Sequence, residues 1–288
     1  MHRSSLAPVT LLLGLALPGV AVAQSSNDQN IPDFTGGWAR IGEFVENYEA
    51  IPGYEGAGPM AIDPLHPHGD NTYGQALQWI AALNNPILKP ETLEKLQRIT
   101  EAGLAGIPHV KDEGMCQPSG VPMLWNRRST QSAVIQILQT PSQVTILNAR
   151  DHQVRMIYLD RPHSEDPEHS WYGESVGHYE GGNMLVVDTI GQNDKTQVDR
   201  FGTTHSDKIH VTERLILSPG GQTLEVQFTV EDPVAFSMPW SARVRHENRA
   251  SDWDEQICAE NNRYIGQVTI AGEITEHVPI PTDTTPDF

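Results

Sequence analysis

The chain has 288 residues and carries 37 acidic against 19 basic side chains, for a formal net charge of −18 at pH 7. A surface of that sign repels phosphate backbones and anionic headgroups, which argues against nucleic-acid and membrane-surface partners. Its two cysteines cannot by themselves make a structural zinc site.

Residues 1–23 combine a short basic start (His2, Arg3), an apolar run from Leu11 to Val22, and small residues Ala21-Val22-Ala23 ahead of Gln24. This is the layout of a secretory signal peptide, with an apolar part too short to be a spanning helix. The expected product is residues 24–288, a single β domain in the periplasm or outside the cell. In that oxidising compartment Cys116 and Cys258 pair most simply as one disulfide closing a long loop, worth about 3–5 kcal/mol in the chain-entropy model.

The segment DFTGGWARIGEF predicts a first strand entered through Gly36-Gly37. Gly36-Gly37-Trp38 resembles the G-x-W opening of lipocalin-like barrels, in which the tryptophan plugs the closed end. Residues 47–72 are dense in Gly, Pro and Asp and predict a long irregular excursion, of a length that marks a functional loop or lid. It contains His66-Pro67-His68-Gly69-Asp70, where alternating histidines on an extended segment point the same way. His66, His68 and Asp70 could share a zinc or copper ion, although a solvated loop tip is the plainer reading. Helices are predicted over 74–83 and 91–105, the second placing Leu93, Leu96 and Ile99 on one face, so a helical insertion spans about 72–108.

Beyond residue 130 the signals are almost all strand: 133–139, 143–148, 154–159, 174–180, 183–189, 209–217, 223–231, 240–247, 253–260 and 264–270. Gly181-Gly182 suits a tight primed turn between 174–180 and 183–189. About ten strands, mostly hairpin-linked, favour a closed antiparallel lipocalin-like barrel whose interior holds one small ligand, with a two-sheet sandwich as the alternative.

The motifs PDFTGGW, RMIYLDRPH, WYGESVGHYEGGNMLVVDT, THSDKIHVTERL, DPVAFSMPW and EQICAENNR together resemble a broad group of secreted proteobacterial and acidobacterial proteins. That group has no well-established general activity. The likeness covers most of the chain after residue 130 and implies a secreted, lipocalin-like β fold; it assigns no chemistry.

Candidate chemistry concentrates between Arg155 and Glu213. His163 follows a strand end and a proline that fixes the chain, which places its ring at a barrel rim among carboxylates, the setting of a general acid or base. Met184, Val186 and Asp188 share one face of their strand, so an inward face would bury the Asp188 carboxylate. Glu213 sits among Val211 and Leu215 in the same way, with Arg155 or Arg214 as conceivable partners. His205, at the entrance of that strand, could face His163 across the barrel mouth. GESVG matches G-x-S-x-G around Ser175, but a β-hairpin is the wrong context for a nucleophile elbow. Arg155, Tyr158, Trp171 and Trp240 supply polar and aromatic surface for a ligand.

These readings add up to a secreted small-molecule enzyme performing cofactor-free acid–base chemistry, of the lyase, hydratase or isomerase type. The substrate would be a small apolar or aromatic molecule in a barrel cavity. His163, Asp188, His205 and Glu213 would be its catalytic groups, converging on one cavity. The alternatives are a non-catalytic periplasmic carrier using the same cavity and a metal-dependent enzyme using His66, His68 and Asp70.

Overall fold

The computed structural model describes residues 31–42, 48–67, 79–107, 109, 117–126, 135–149, 153–249, 266–270 and 273–277. Its centre is a closed barrel of nine strands in sequential order: β1 (Gly36–Arg40), β2 (Ile135–Thr140), β3 (Gln143–Asn148), β4 (Val154–Leu159), β5 (Glu174–Glu180), β6 (Met184–Ile190), β7 (His210–Leu217), β8 (Thr223–Glu231) and β9 (Trp240–Asn248). Strands such as β3, β6 and β8 alternate buried and accessible positions throughout, the period-2 signature of a sheet with one face on a core. β1 closes the barrel by pairing with β2 on one side and β9 on the other, and Trp38 is fully buried there, its Nε1 donating to Phe34 O at 2.9 Å.

The expected all-antiparallel pairing is corrected in one place. Nine strands running up and down in turn cannot close with every neighbour antiparallel, because an odd ring leaves one pair running the same way. That pair is β4 and β5, parallel over Ile157–Leu159 and Ser175–Gly177. Parallel neighbours cannot be joined by a hairpin, so the chain makes a crossover from 160 to 173, begun by Asp160 in the left-handed region (φ 54°). Among the described residues no strand lies beside the first half of β4 on that flank.

Among the ten predicted strands, the described part of the last, 266–270, does not join the barrel. β10 (Gly266–Ile270) pairs with β11 (Glu273–His277) in a separate two-stranded sheet. The predicted strand at 253–260 lies outside the described residues, as do Cys116 and Cys258 and the first half of the predicted helix at 74–83. The part of that helix that is described is not helical; Ala81 bridges to Ile62 instead. The second predicted helix is α1 (Pro90–Leu104): proline opens it, and Leu96, Ile99 and Ala102 are buried on one face.

Around Glu213 the barrel interior is occupied by side chains of the described residues, Trp125 and Arg155 among them. A single 3-10 turn, Met123–Asn126, enters the core with all four residues buried. Trp125 meets His246 edge to face at 5.7 Å, and its carbonyl accepts from His246 Nε2 at 3.1 Å.

Candidate functional site at the parallel pair

Where β4 lacks a neighbour, the crossover folds over the gap and leaves a crevice of about 490 Å³. Its floor is the outer face of β4, including Val154, Met156 and Tyr158. Its wall is the crossover, with Arg161, Ser164, Asp166, Pro167, Glu168, Ser170 and Trp171, and Glu174 at the start of β5 closes one end. Arg161 lies over the Tyr158 ring, 3.7 Å from its centroid, and Lys195 lies 5.8 Å over Trp171.

Behind Glu174 stands His163. The crossover presents its ring between two strands, with Nδ1 3.0 Å from Glu174 Oε1 and Nε2 2.8 Å from Asp188 Oδ1. The other oxygen of Asp188 meets His210 Nε2 at 2.7 Å. Glu174, His163, Asp188 and His210 thus alternate carboxylate and imidazole from the crevice across β5 and β6 to β7. The strand register makes this possible: Val176 pairs with Asp188 and Asp188 with Thr212, so these side chains stand on one outer face.

Electrostatics follow the geometry. Burial pushes the Glu174 carboxyl up, but the Ser164 hydroxyl and N–H, at 2.6 and 2.7 Å, and His163 more than offset this and leave it below the usual glutamate value. The hydrogen bond from His210, against a smaller penalty for burial, holds Asp188 below the usual aspartate value. That same bond raises His210 above the ordinary histidine value. Between Glu174 Oε1 and His163 Nδ1 there is room for one proton: the carboxylate accepts from imidazolium, or the acid donates to the neutral ring.

The predicted residues therefore separate into three places. His163 and Asp188 meet, but outside the barrel. Asp188 was expected to point inward; instead Leu185, Val187 and Thr189 form the buried face of β6, and the Asp188 side chain is 39% exposed. Glu213 does point inward and is fully buried. Arg155 binds both of its oxygens, Trp125 Nε1 donates to Oε1, and Ser175 and Thr189 hold the guanidinium from the other side. Ser175 is committed to that network, also bonding Thr189 at 2.9 Å.

His205 does not face His163. It is buried beside the loop before β7, with Nδ1 donating to Ser206 O at 2.8 Å and Nε2 accepting from Thr196 Oγ1 at 2.7 Å. Burial holds it below the ordinary histidine value as a neutral ring. Of the aromatic candidates, Tyr158 and Trp171 line the crevice. Trp240 belongs to a core cluster with Tyr48, Phe228 and Phe236. Arg155 contributes to the crevice lining from beneath, although its charge is spent on Glu213.

His66 pairs with Asp63 at 2.8 Å, while His68 and Asp70 lie outside the described residues. Among the described residues no three His, Cys, Asp or Glu side chains are grouped to hold a metal ion. The chain matches no protein-family model, no curated protein and no solved structure.

Sequence reasoning missed Glu174 and His210. The signal was present: Glu174 and Val176 on β5, Asp188 on β6 and His210 on β7 each sit on the outward phase of their strand. The pattern became a site only when the register was known.

Proposed function

We propose that the protein is an exported enzyme performing acid–base chemistry on a small molecule held in the crevice between β4 and the crossover. In this reading it belongs with secreted small-molecule lyases, hydratases or isomerases. Glu174 faces the ligand and exchanges a proton with it, and His163 holds that proton when the carboxylate gives it up. Tyr158, Trp171 and the apolar outer face of β4 receive a flat or largely apolar ring, while Arg161 and the crossover hydroxyls orient its polar groups. The observation that carries this reading is the Glu174–His163 contact at 3.0 Å beside a cavity of ligand size that Glu174 helps to line.

Lyase, hydratase and isomerase chemistry needs a proton removed at one point and returned at another, which a carboxylate–imidazole couple sharing one proton supplies. Incubating the pure protein with lignin-derived aromatics, terpenoids and glycosides and reading product masses tests it. Turnover of any member supports the proposal. Binding without change of mass would support the second reading, a carrier that uses the same crevice, which the aromatic and aliphatic floor equally suits.

A further inference from the structure

His163 and His210 bind the two oxygens of one carboxylate, at 2.8 and 2.7 Å. Each imidazole therefore draws on the same negative charge, and each repels the other when both are protonated. They differ in freedom. Both ring nitrogens of His163 are engaged by carboxylates, whereas His210 commits Nε2 to Asp188 and its side chain is 36% exposed. His210 can thus gain or lose a proton at Nδ1 while keeping its bond to Asp188. His163 has both ring nitrogens on carboxylates, so a change of its charge is felt at Glu174 and Asp188 together.

We propose that Asp188 and His210 form a positioning unit behind His163, in which the protonation of solvent-facing His210 sets how firmly the crevice couple holds its proton. This rests on the function proposed above and adds its regulation. With His210 neutral, Asp188 lends its full charge to His163 and the couple keeps its proton, acting as an acid. With His210 cationic, Asp188 is shared and the couple gives the proton up more readily.

Other charges face the unit from each element packed against it. From the crossover these are Asp160 and Arg161; from β5 they are Glu174, which ion-pairs with Arg161 at 3.6 Å, and His178. Glu231 on β8 stands opposite His210, and the Asp207–Lys208 pair precedes it on the chain. Most of these are paired or at the margin; Asp188 is the group that touches both rings.

Linkage makes the coupling reciprocal, so it can be read at His210 without any substrate. The experiment is an NMR pH titration of the histidine ring resonances in the full protein and in His163→Asn and Asp188→Asn, with the backbone spectrum confirming the fold. In the parent, His210 titrates above the ordinary histidine value. Removing His163 leaves Asp188 to His210 alone and shifts its midpoint further up, by roughly one pH unit. Asp188→Asn moves it down below the parent value. A His210 midpoint that is the same in His163→Asn as in the parent would overturn the proposal, and so would one that is insensitive to Asp188→Asn.

A pair of isosteric variants at the other end, His210→Gln and His210→Asn, extends the test to turnover. Both should displace the pH profile while leaving KM close to the parent value. A purely structural role would instead change the unfolding midpoint and leave the profile in place. Coupled titrations without any turnover would leave the unit standing and count against the enzyme reading, so the two failures are distinguishable.

Discussion

At Glu213 a carboxylate with no exposure to solvent is tolerated because Arg155 meets both of its oxygens and Trp125 adds a third donor. Burying two charges gains little over an apolar pair of the same volume, but stranding one of them is costly. Glu213→Leu or Arg155→Met alone should therefore lower stability by about 3–5 kcal/mol, whereas the double variant should recover much of that loss, as read from urea midpoints in a double-mutant cycle. If the losses simply add, the pair is not the unit described. Glu213 and Asp188 look alike in the sequence, each a carboxylate in an alternating apolar strand. Glu213 was placed inward correctly because its companions Val211 and Leu215 outweigh the opposite face. On β6 both phases are apolar, Met184 and Val186 against Leu185 and Val187, so hydrophobicity could not choose. What chooses is Thr189, whose hydroxyl belongs to the interior network around Arg155.

Among the elements, the crossover from 160 to 173 creates the site, and strand parity demands it. Its far end is fixed by Gly173, at φ 63°, where an added Cβ would fall 2.2 Å from the carbonyl oxygen of Ile190. Gly173→Ala should accordingly cost about 1–3 kcal/mol and loosen the crevice wall, seen as a lower thermal midpoint and faster amide exchange in β5. An unchanged midpoint would show that the entry to β5 tolerates the clash and does not fix the wall. Strand existence from β2 to β9 was legible in the sequence to within two residues at each end, since alternation and glycine-rich turns are local. The parallel pair was not legible, because it follows from the number of strands that close the ring. One expected member stands outside the ring, since Gly266–Ile270 pairs locally with β11; the predicted strand at 253–260 falls outside the described residues. For the same reason the convergence of His163, Asp188, His205 and Glu213 failed; strand-end positions say nothing about which side of a closed barrel a side chain meets.

For the whole molecule, the interior sets an acid limit. His246 is buried against Trp125, its Nε2 donates to a carbonyl and its Nδ1 has no hydrogen-bond partner among the described residues. Burial first, and then the Arg40 charge, push it down from 6.5 to about 3. The folded protein keeps this ring neutral while the unfolded chain binds a proton below pH 6.5. Stability is therefore complete above that value and falls as the pH drops from 6.5 toward 3, by at most about 1.4 kcal/mol per pH unit from this one group. His205, also lowered by burial, acts in the same direction. Urea midpoints at pH 7.5 and 5 should differ in this sense, and His246→Gln should flatten the difference; an equal slope in that variant would remove His246 as the cause. Above this acid limit the described residues offer a crevice of about 490 Å³ lined in part by Glu174, whose carboxylate meets the His163 imidazole. The decisive measurement is turnover of whichever panel compound is converted, compared between the parent, Glu174→Gln, His163→Gln and the distant control His66→Gln. The account predicts a loss of about 10²- to 10⁴-fold in kcat for the first two variants and parent-like rates for the control. Parent-like turnover in Glu174→Gln and His163→Gln would contradict it.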